Sequence, residues 1–195
     1  MKFTETNLKG AYIIELEPFQ DHRGMFARTF CKKEFDAIAH QKEFVQFNHS
    51  RTANKGTLRG MHYQKPPFAE IKLIRCIRGA VYDVIIDIRK DSPTFLKYVG
   101  VELTEENQKM IYVPEGFAHG FQTLTDNAEL LYKHTAYYRP GSEGGLRYDE
   151  PKVNIEWPLA PIDLSKRDTE ADYLTEAFEG IEISSQPQPI NNLSQ

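Results

Sequence analysis

The chain has 195 residues, enough for a single domain, and its 40% of hydrophobic residues can bury a core. Its 24 Lys and Arg residues against 28 Asp and Glu residues give a net charge of −4 without a basic run, which argues against a nucleic-acid-binding protein. No apolar stretch is long enough to cross a membrane, and the first residues lack the apolar core of a signal peptide, so we expect a cytoplasmic protein.

Most of the predicted elements are strands. Each is a short run in which apolar and polar residues alternate, or in which β-branched and aromatic residues are frequent. In chain order, the predicted strands cover residues 12–16, 25–30, 43–49, 71–78, 80–88, 98–103, 109–113, 120–124 and 129–138. Short turns connect them, which predicts an all-β fold, an antiparallel sandwich or barrel.

Helices are predicted in only two places. Residues 32–40 form the first, because Phe35, Ile38 and Ala39 share one helical face. Residues 165–178 could form the second, within a C-terminal helical part of about residues 163–184. The last residues, 185–195, are rich in Ser, Gln, Pro and Asn and predict a disordered tail, so that residues 1–184 form one domain.

The histidines and cysteines do not show the spacing of a metal site. No second histidine accompanies His62, and His119 and His134 are isolated, so we predict that no metal is bound. Cys31 and Cys76 lie in unrelated contexts and are interpreted as reduced thiols.

One short stretch combines a guanidinium, an imidazole and an ammonium, at Arg59, His62 and Lys72. These groups suit phosphate binding, proton abstraction and stabilisation of a developing oxyanion, respectively. A single strand histidine is more often structural, and a lysine at a strand end can extend to solvent. However, either Lys72 or Arg75 must share a strand face with apolar residues, which is costly unless the cation is paired or functional.

Three further residues have both a structural and a functional interpretation. Tyr132 is either part of the core or an acid that holds its proton at pH 7. Asp168 is either a helix-start carboxylate or the partner that orients His62. The glycine-containing loop at residues 114–121 is either a barrel corner or a rim that presents His119 to a ligand.

Together these motifs resemble the dTDP-4-dehydrorhamnose 3,5-epimerase family of cupin-type sugar-nucleotide enzymes. The matching segments, in the order and at the spacing of the family, are residues 21–26, 46–50, 58–64, 72–76, 87–95, 114–121, 132–143 and 155–159. The resemblance implies a cupin jelly-roll β-sandwich or barrel with a few short peripheral helices. It also implies a homodimer, often with an exchanged N-terminal strand, and neither a metal nor an organic cofactor.

The resemblance also implies an activity and assigns roles to residues. The activity is inversion of C3 and/or C5 of a nucleotide-linked 4-keto-6-deoxy sugar, of the type dTDP-4-dehydro-6-deoxy-D-glucose to dTDP-4-dehydro-L-rhamnose, through an enolate. His62 matches the general base with Asp168 as its partner, Lys72 the residue that stabilises the enolate, and Tyr132 the general acid. The positions that match those holding the nucleotide diphosphate and the sugar are Arg23, Asn48, Arg59, His119, Glu143 and Arg167.

At two positions the chain departs from the family pattern. Arg28 replaces a glutamate and Phe47 replaces an acidic residue, both in segments associated with the nucleotide end of the site. A site built for one hydrogen-bond pattern rejects another, so a CDP- or GDP-linked substrate and a single-centre epimerase stay open. A 3,4-ketoisomerase and a non-catalytic sugar-nucleotide-binding protein stay open as well.

Overall fold

The structure, a computed structural model, describes residues 1–183 and consists mainly of strands. The strands are β1 Lys2–Glu5, β2 Tyr12–Glu15, β3 Phe19–Asp21, β4 Gly24–Phe26, β5 Gln46–Thr52, β6 Leu58–Gln64, β7 Lys72–Arg78, β8 Ala80–Asp87, β9 Tyr98–Thr104, β10 Met110–Val113, β11 Phe117–Thr123, β12 Ala128–His134 and β13 Glu143–Gly145. The helices are α1 Lys32–Phe35, which a 3₁₀ turn at Asp36–Ile38 extends, and α2 Lys166–Glu170. The predicted tail at residues 185–195 lies outside the described residues.

Two antiparallel sheets and one hairpin organise these strands. The six-stranded sheet has the order β1-β2-β10-β7-β12-β5, and the five-stranded sheet has the order β13-β6-β11-β8-β9. Strands β3 and β4 form a separate hairpin. Several neighbours in each sheet are distant in sequence, for example β6 beside β11 and β7 beside β12. The predicted all-β jelly roll is therefore confirmed.

The main hydrophobic core contains residues of both sheets, which places it between them. Ile74 and Cys76 of β7 belong to the same buried cluster as Val81 and Ile85 of β8. Alternation along β7 explains this arrangement, because residues two apart in a strand point to the same face. Lys72 lies on that inward face and is itself buried, which settles which cation of this strand points inward.

Some predicted elements differ from those observed. The helix predicted at residues 32–40 is only one α-turn and one 3₁₀ turn, and it ends at Ala39 with a left-handed φ of 55°. The helix predicted at residues 165–178 is limited to Lys166–Glu170. Isolated short helices are unstable without a broad packed face, which these segments do not have.

The observed strands differ from the predicted ones in two ways: one predicted strand is shorter, and four observed strands were not predicted. Residues 25–30 form a strand only at Gly24–Phe26, and β1, β3, β6 and β13 were not predicted. Strand β6 lacks simple alternation because polar residues such as Arg59 and His62 lie beside the glycine at position 60. The polar residues that obscure the pattern of β6 are those that line a cavity.

None of the helices in residues 1–183 is long and apolar enough to cross a membrane.

A buried carboxylate organises the loop after β8. Asp87 is fully buried and accepts hydrogen bonds from the guanidinium of Arg89 and from the hydroxyls of Ser92 and Thr94. Burial raises the pKa of Asp87, but the hydrogen bonds from Arg89, Ser92 and Thr94 outweigh it, and the pKa lies below its usual value. The ionised carboxylate is therefore a structural element of residues 87–95.

We expect Asp87→Asn to lower the free energy of unfolding at pH 7 by about 3 kcal/mol, because buried donors lose a charged acceptor. A depressed pKa in the folded state stabilises the protein above the unfolded value of about 3.9, and this contribution is lost as the pH falls through the folded value. The difference between wild type and variant should therefore shrink below about pH 4. Urea unfolding at pH 7 and at lower pH measures it.

The matched control for this prediction is Asp36→Asn, because Asp36 is exposed. We expect its unfolding free energy to equal that of wild type at both pH values. A difference for Asp87→Asn that does not change with pH would contradict the role of its charge.

Candidate active site

A cavity of about 630 Å³ is lined by residues of both sheets and by the segment that leads into α2. Its volume suits a small-molecule ligand. The residues predicted from the sequence that line it are Asn48, Arg59, His62, Lys72, His119, Tyr132 and Asp168. The structure therefore brings the four predicted catalytic residues into one cavity, together with three of the predicted binding residues.

His62 and Asp168 form a hydrogen-bonded pair in this cavity. Nε2 of His62 lies 2.6 Å from Oδ1 of Asp168, which is buried at the start of α2. The hydroxyl of Ser165 caps α2 by accepting the backbone N–H of Asp168 at 3.2 Å. This cap explains why the chain places a carboxylate at that point.

The electrostatics of this pair define the tautomer of His62. Burial raises the pKa of Asp168, but the hydrogen bonds with His62 and Ser165 outweigh burial and the pKa lies below its usual value. An ionised carboxylate only accepts hydrogen bonds, so Nε2 of His62 carries the proton. When the ring carries this single proton, Nδ1 holds a lone pair, which makes His62 an oriented base.

Lys72 supplies a buried positive charge to the same cavity. Its Nζ lies 3.4 Å from Oε1 of Glu70 and donates to the backbone oxygen of His62 at 3.4 Å. An ammonium in a poorly hydrated site interacts strongly with a nearby anion. Lys72 is therefore suited to stabilise negative charge that develops on a ligand.

Tyr132 lies between two histidine rings on the β12 side of the cavity. Its ring centroid is 6.0 Å from that of His119 in an edge-on arrangement and 5.9 Å from that of His134 in a stacked arrangement. Burial raises the pKa of the phenol, so Tyr132 keeps its proton at neutral pH. It can therefore act as a proton donor.

His119 belongs to a second histidine–aspartate pair. Its Nε2 lies 2.9 Å from Oδ2 of the fully buried Asp83. Burial lowers the pKa of His119, and the opposing effect of Asp83 does not restore it. The ring is therefore neutral at pH 7, and in the strand register His119 is the direct neighbour of His62.

A close approach of two backbones brings these histidines together. A Cβ at Gly60 of β6 would lie 2.5 Å from the Cα of Gly120 in β11, and Gly60 has a φ of +130°. Only glycine tolerates both conditions, since a side chain would collide with the neighbouring strand. The glycine in the motif at residues 58–64 therefore has a structural role next to the site.

Glu143 and Arg167 line a second cavity, of about 690 Å³, instead of the first. This cavity shares His62 and Asp168 with the first one. Glu143 accepts a hydrogen bond from the hydroxyl of Tyr138. The histidine–aspartate pair thus lies between two cavities, each lined by predicted binding residues.

Arg23, Arg28 and Phe47 line neither cavity. Arg23 pairs with Asp21 in the β3–β4 hairpin, and Arg28 pairs with Glu34 at 2.5 Å. Phe47 is 67% exposed. Within the single chain these residues are apart from the site, and their contact with substrate stays a prediction.

Three features of the site were not predicted from the sequence: the carboxylates of Glu70 and Asp83, and the pairing of His134 with Glu70. Each had a signal in the sequence. Glu70 lies two residues before Lys72, just ahead of β7, and His134 lies two residues after Tyr132 on the same face of β12. Asp83 interrupts the apolar strand β8 and is a buried carboxylate that requires a partner.

Comparison with known proteins agrees with this geometry. The model of the family described as dTDP-4-dehydrorhamnose 3,5-epimerase matches residues 5–176. The dTDP-4-dehydrorhamnose 3,5-epimerase of Shigella flexneri is 44% identical over 178 residues, which cover 91% of this chain and 98% of that protein. This similarity extends over nearly the whole of both chains.

Two solved structures are similar in fold as well as in sequence. A dTDP-6-deoxy-D-glucose-3,5-epimerase from Legionella pneumophila Philadelphia 1, in complex with dTDP-4-keto-L-rhamnose, has a TM-score of 0.87 and 38% identity over 94% of this chain and 99% of that chain. A 3'-monoepimerase from Streptomyces bikiniensis, in complex with dTDP-quinovose, has a TM-score of 0.80 and 33% identity over 86% of this chain and 85% of that chain.

Proposed function

The chain belongs to the dTDP-4-dehydrorhamnose 3,5-epimerase family, and on that premise we propose that it converts dTDP-4-dehydro-6-deoxy-D-glucose to dTDP-4-dehydro-L-rhamnose. It is an isomerase that acts on a nucleotide-linked sugar. One observation carries the proposal: a single cavity holds an oriented base, a buried ammonium and a protonated phenol.

The mechanism that we propose begins with proton abstraction. The hydrogens at C3 and C5 are acidic because both carbons are adjacent to the C4 ketone. Nδ1 of His62 removes one of them, while Asp168 stabilises the imidazolium that forms. The negative charge moves to the C4 oxygen, where the ammonium of Lys72 stabilises the enolate.

Inversion requires that a proton return from the other face of the sugar ring. Tyr132 is the donor in our proposal, because its phenol is protonated and lines the same cavity as the base. Exchange with solvent then removes the proton from His62 and restores the proton of Tyr132. Each turnover at C3 or C5 therefore introduces a solvent hydrogen, and the scheme needs only side chains and solvent protons.

Substrate binding uses the remaining predicted residues. In the first cavity, Arg59 presents a guanidinium, a group whose geometry suits phosphate oxygens, and Asn48 and His119 lie in the same lining. In the second cavity, Glu143 and Arg167 lie on the other side of the histidine–aspartate pair. We propose that these five residues hold the nucleotide diphosphate and the sugar around His62.

The protein acts as a homodimer in this proposal. Phe19 and Phe26 of the β3–β4 hairpin are 80% and 76% exposed, and Met25 beside them is also exposed. An exposed apolar patch of this kind is typical of an interaction surface. Docking of the hairpin onto a partner chain would cover these side chains and carry Arg23, at the hairpin turn, and Arg28 towards the partner's cavity.

If Arg23 acts in the partner's site, we expect the impaired variants Arg23→Ala and His62→Asn to restore activity to each other when they form mixed dimers. Arg23→Ala and His62→Asn should each be impaired at subsaturating substrate. A mixed dimer would contain one site with both residues intact, so co-refolded variants should recover about a quarter of wild-type activity. Activity equal to the average of the two separate variants would contradict the exchange. Arg78→Ala, in place of Arg23→Ala, is the control for loss of an exposed arginine.

We also propose that the protein is cytoplasmic. Cys31 is partly buried, Cys76 is buried, and both are free. Free thiols are typical of proteins in reducing compartments.

The activity is tested by solvent deuterium exchange. The protein is incubated with dTDP-4-keto-6-deoxyglucose in D₂O, and the H3 and H5 signals are followed by NMR. Loss of both signals with an inverted product supports the 3,5-epimerase. Migration of the carbonyl would indicate a 3,4-ketoisomerase, and binding without exchange would indicate a non-catalytic binding protein.

A single-centre epimerase is the second candidate, because a 3'-monoepimerase is 33% identical to this chain and has the same fold. Loss of the H3 signal alone would favour it. If neither signal is lost, CDP- and GDP-linked 4-keto sugars are tested next, because Arg28 and Phe47 are the departures from the family pattern.

A further inference from the structure

The ammonium of Lys72 is buried together with a carboxylate. The side chains of Lys72 and Glu70 are 10% and 9% exposed, and Nζ and Oε1 are 3.4 Å apart. Because an unpaired buried charge is costly, this pairing compensates the charge of the lysine. Glu70 and the backbone oxygen of His62 account for two of the three N–H donors of the ammonium. One donor remains for a ligand in the cavity.

Glu70 is itself held by an imidazole. Its Oε2 lies 2.8 Å from Nδ1 of His134, and Nε2 of His134 lies 3.3 Å from Nδ2 of Asn48. The hydrogen bond from Gln46 to Oδ1 of Asn48 fixes the orientation of the Asn48 amide, so that its nitrogen faces His134. An amide nitrogen only donates hydrogen bonds. Nε2 of His134 therefore accepts, and Nδ1 carries the proton that is donated to Glu70.

This arrangement keeps Glu70 ionised despite its burial. Burial raises the pKa of Glu70, but the hydrogen bond from His134 and the charge of Lys72 outweigh it, and the pKa lies below its usual value. The histidines that line the cavity around the pair are His134 on β12, His62 on β6 and His119 on β11. Among these, His134 is the one that hydrogen-bonds to the carboxylate of Glu70.

His134 is a neighbour of both the enolate-stabilising lysine and the acid. His134 is the direct neighbour of Lys72 across β12 and β7. Its ring stacks on Tyr132 with an interplanar angle of 18°. Glu70 and His134 are thus in contact with two of the groups that the proposed reaction uses.

We propose that Glu70, fixed by His134, is a positioning residue that holds the ammonium of Lys72 towards the C4 oxygen of the substrate. The role rests on the proposed function. Glu70 acts through Lys72 and does not itself touch the reacting atoms. His134 sets the position of the carboxylate by donating from Nδ1.

A double-mutant cycle on the rate of H3 exchange tests this role. The variants are Glu70→Gln, Lys72→Met and the combination of both. In the wild-type background, we expect Glu70→Gln to lower kcat about tenfold with little change in KM, because a charged acceptor is lost. In the Lys72→Met background, the same substitution should have no further effect, since the group that Glu70 positions is absent.

The chain offers a matched control that also involves β12. His49 and Glu129 form a carboxylate–imidazole pair 2.9 Å apart on β5 and β12, and neither residue lines the cavity. Glu129→Gln should therefore leave kcat unchanged. His134→Phe should lower kcat. His134→Gln should have a higher kcat than His134→Phe, because the amide of glutamine can donate to Glu70.

Two results would overturn the proposal: wild-type exchange in Glu70→Gln, or an equal loss in both backgrounds. Thermal unfolding shows whether each variant folds. If Glu70→Gln does not fold, Glu70→Asp replaces it in the cycle, because it keeps the charge but withdraws it from Nζ. If the wild type does not exchange H3, the proposed function fails and the role of Glu70 falls with it. If the wild-type protein exchanges H3 but the effects of the two substitutions on kcat are additive, only the role of Glu70 is contradicted.

Discussion

Replacing His62 with asparagine is expected to lower the rate of H3 and H5 exchange by about 10³-fold, the range typical of a lost general base. Asparagine has a similar size and can still hydrogen-bond to Asp168, so the fold and the α2 cap should be retained. It has no group that can accept the sugar proton. KM should change little, because the loss concerns the proton-transfer step.

The measurement is the initial rate of deuterium incorporation at C3 and C5, with binding followed separately by titration of the nucleotide sugar. His49→Asn is the matched control, since His49 also pairs with a carboxylate at 2.9 Å but lies outside the cavity. We expect the control to exchange both hydrogens at the wild-type rate. Exchange in His62→Asn within a few-fold of wild type would exclude His62 as the base.

Asp168→Asn tests the orientation of the base instead of its presence. The amide of asparagine can donate to Nε2, which would favour the opposite tautomer and move the proton to Nδ1. We therefore expect a large loss of exchange with the imidazole still in place. A smaller loss than in His62→Asn would be consistent with a supporting role of Asp168.

The sheet architecture could be predicted because most strands bury one face. In β7, the alternation of Lys72, Ile74 and Cys76 against Arg75 is visible in the sequence and corresponds to the observed inward and outward faces. Strand β6 could not be predicted in the same way, because Arg59 and His62 face ligand space instead of the core. A functional strand loses the pattern on which prediction depends.

The site was only partly accessible from the sequence. The meeting of His62 and Asp168, which are far apart along the chain, was implied by resemblance to a family and not by periodicity. The carboxylates that support the site, Glu70 just before β7 and Asp83 in β8, were missed because a charged residue is normally expected to face solvent. Their burial became evident only when the partners His134 and His119 were placed.

Arg23 and Arg28 lie apart from both cavities, and the sequence did not predict this separation. Arg23 matches a substrate-binding position of the family, and Arg28 departs from the family pattern in a segment associated with the nucleotide end of the site. The resemblance implies a dimer, while the structure describes one chain. The exposed Phe19 and Phe26 beside them form the apolar surface that, in our proposal, a partner chain covers. Sequence position alone does not reveal in which protomer's site a residue acts.

Replacing Lys72 with methionine is expected to lower kcat by a factor of about 10² to 10³, which corresponds to about 3 kcal/mol of lost oxyanion stabilisation. Methionine has similar length and suits the buried position, while it removes the charge. The enolate oxygen would then face a poorly hydrated cavity without a cation. Glu70 keeps its hydrogen bond from His134 but loses the charge of its partner, so thermal unfolding of the variant is measured alongside its activity.

The measurement compares kcat and KM for H3 and H5 exchange in D₂O, because a group that acts mainly on the enolate changes kcat more than KM. Lys97→Met is the control, since Lys97 is exposed. Equal losses in kcat at both carbons are expected, because the enolates formed from C3 and from C5 place their charge on the same C4 oxygen. A loss confined to one carbon would mean that Lys72 serves a single proton transfer, and exchange within about threefold of wild type would remove it from the mechanism.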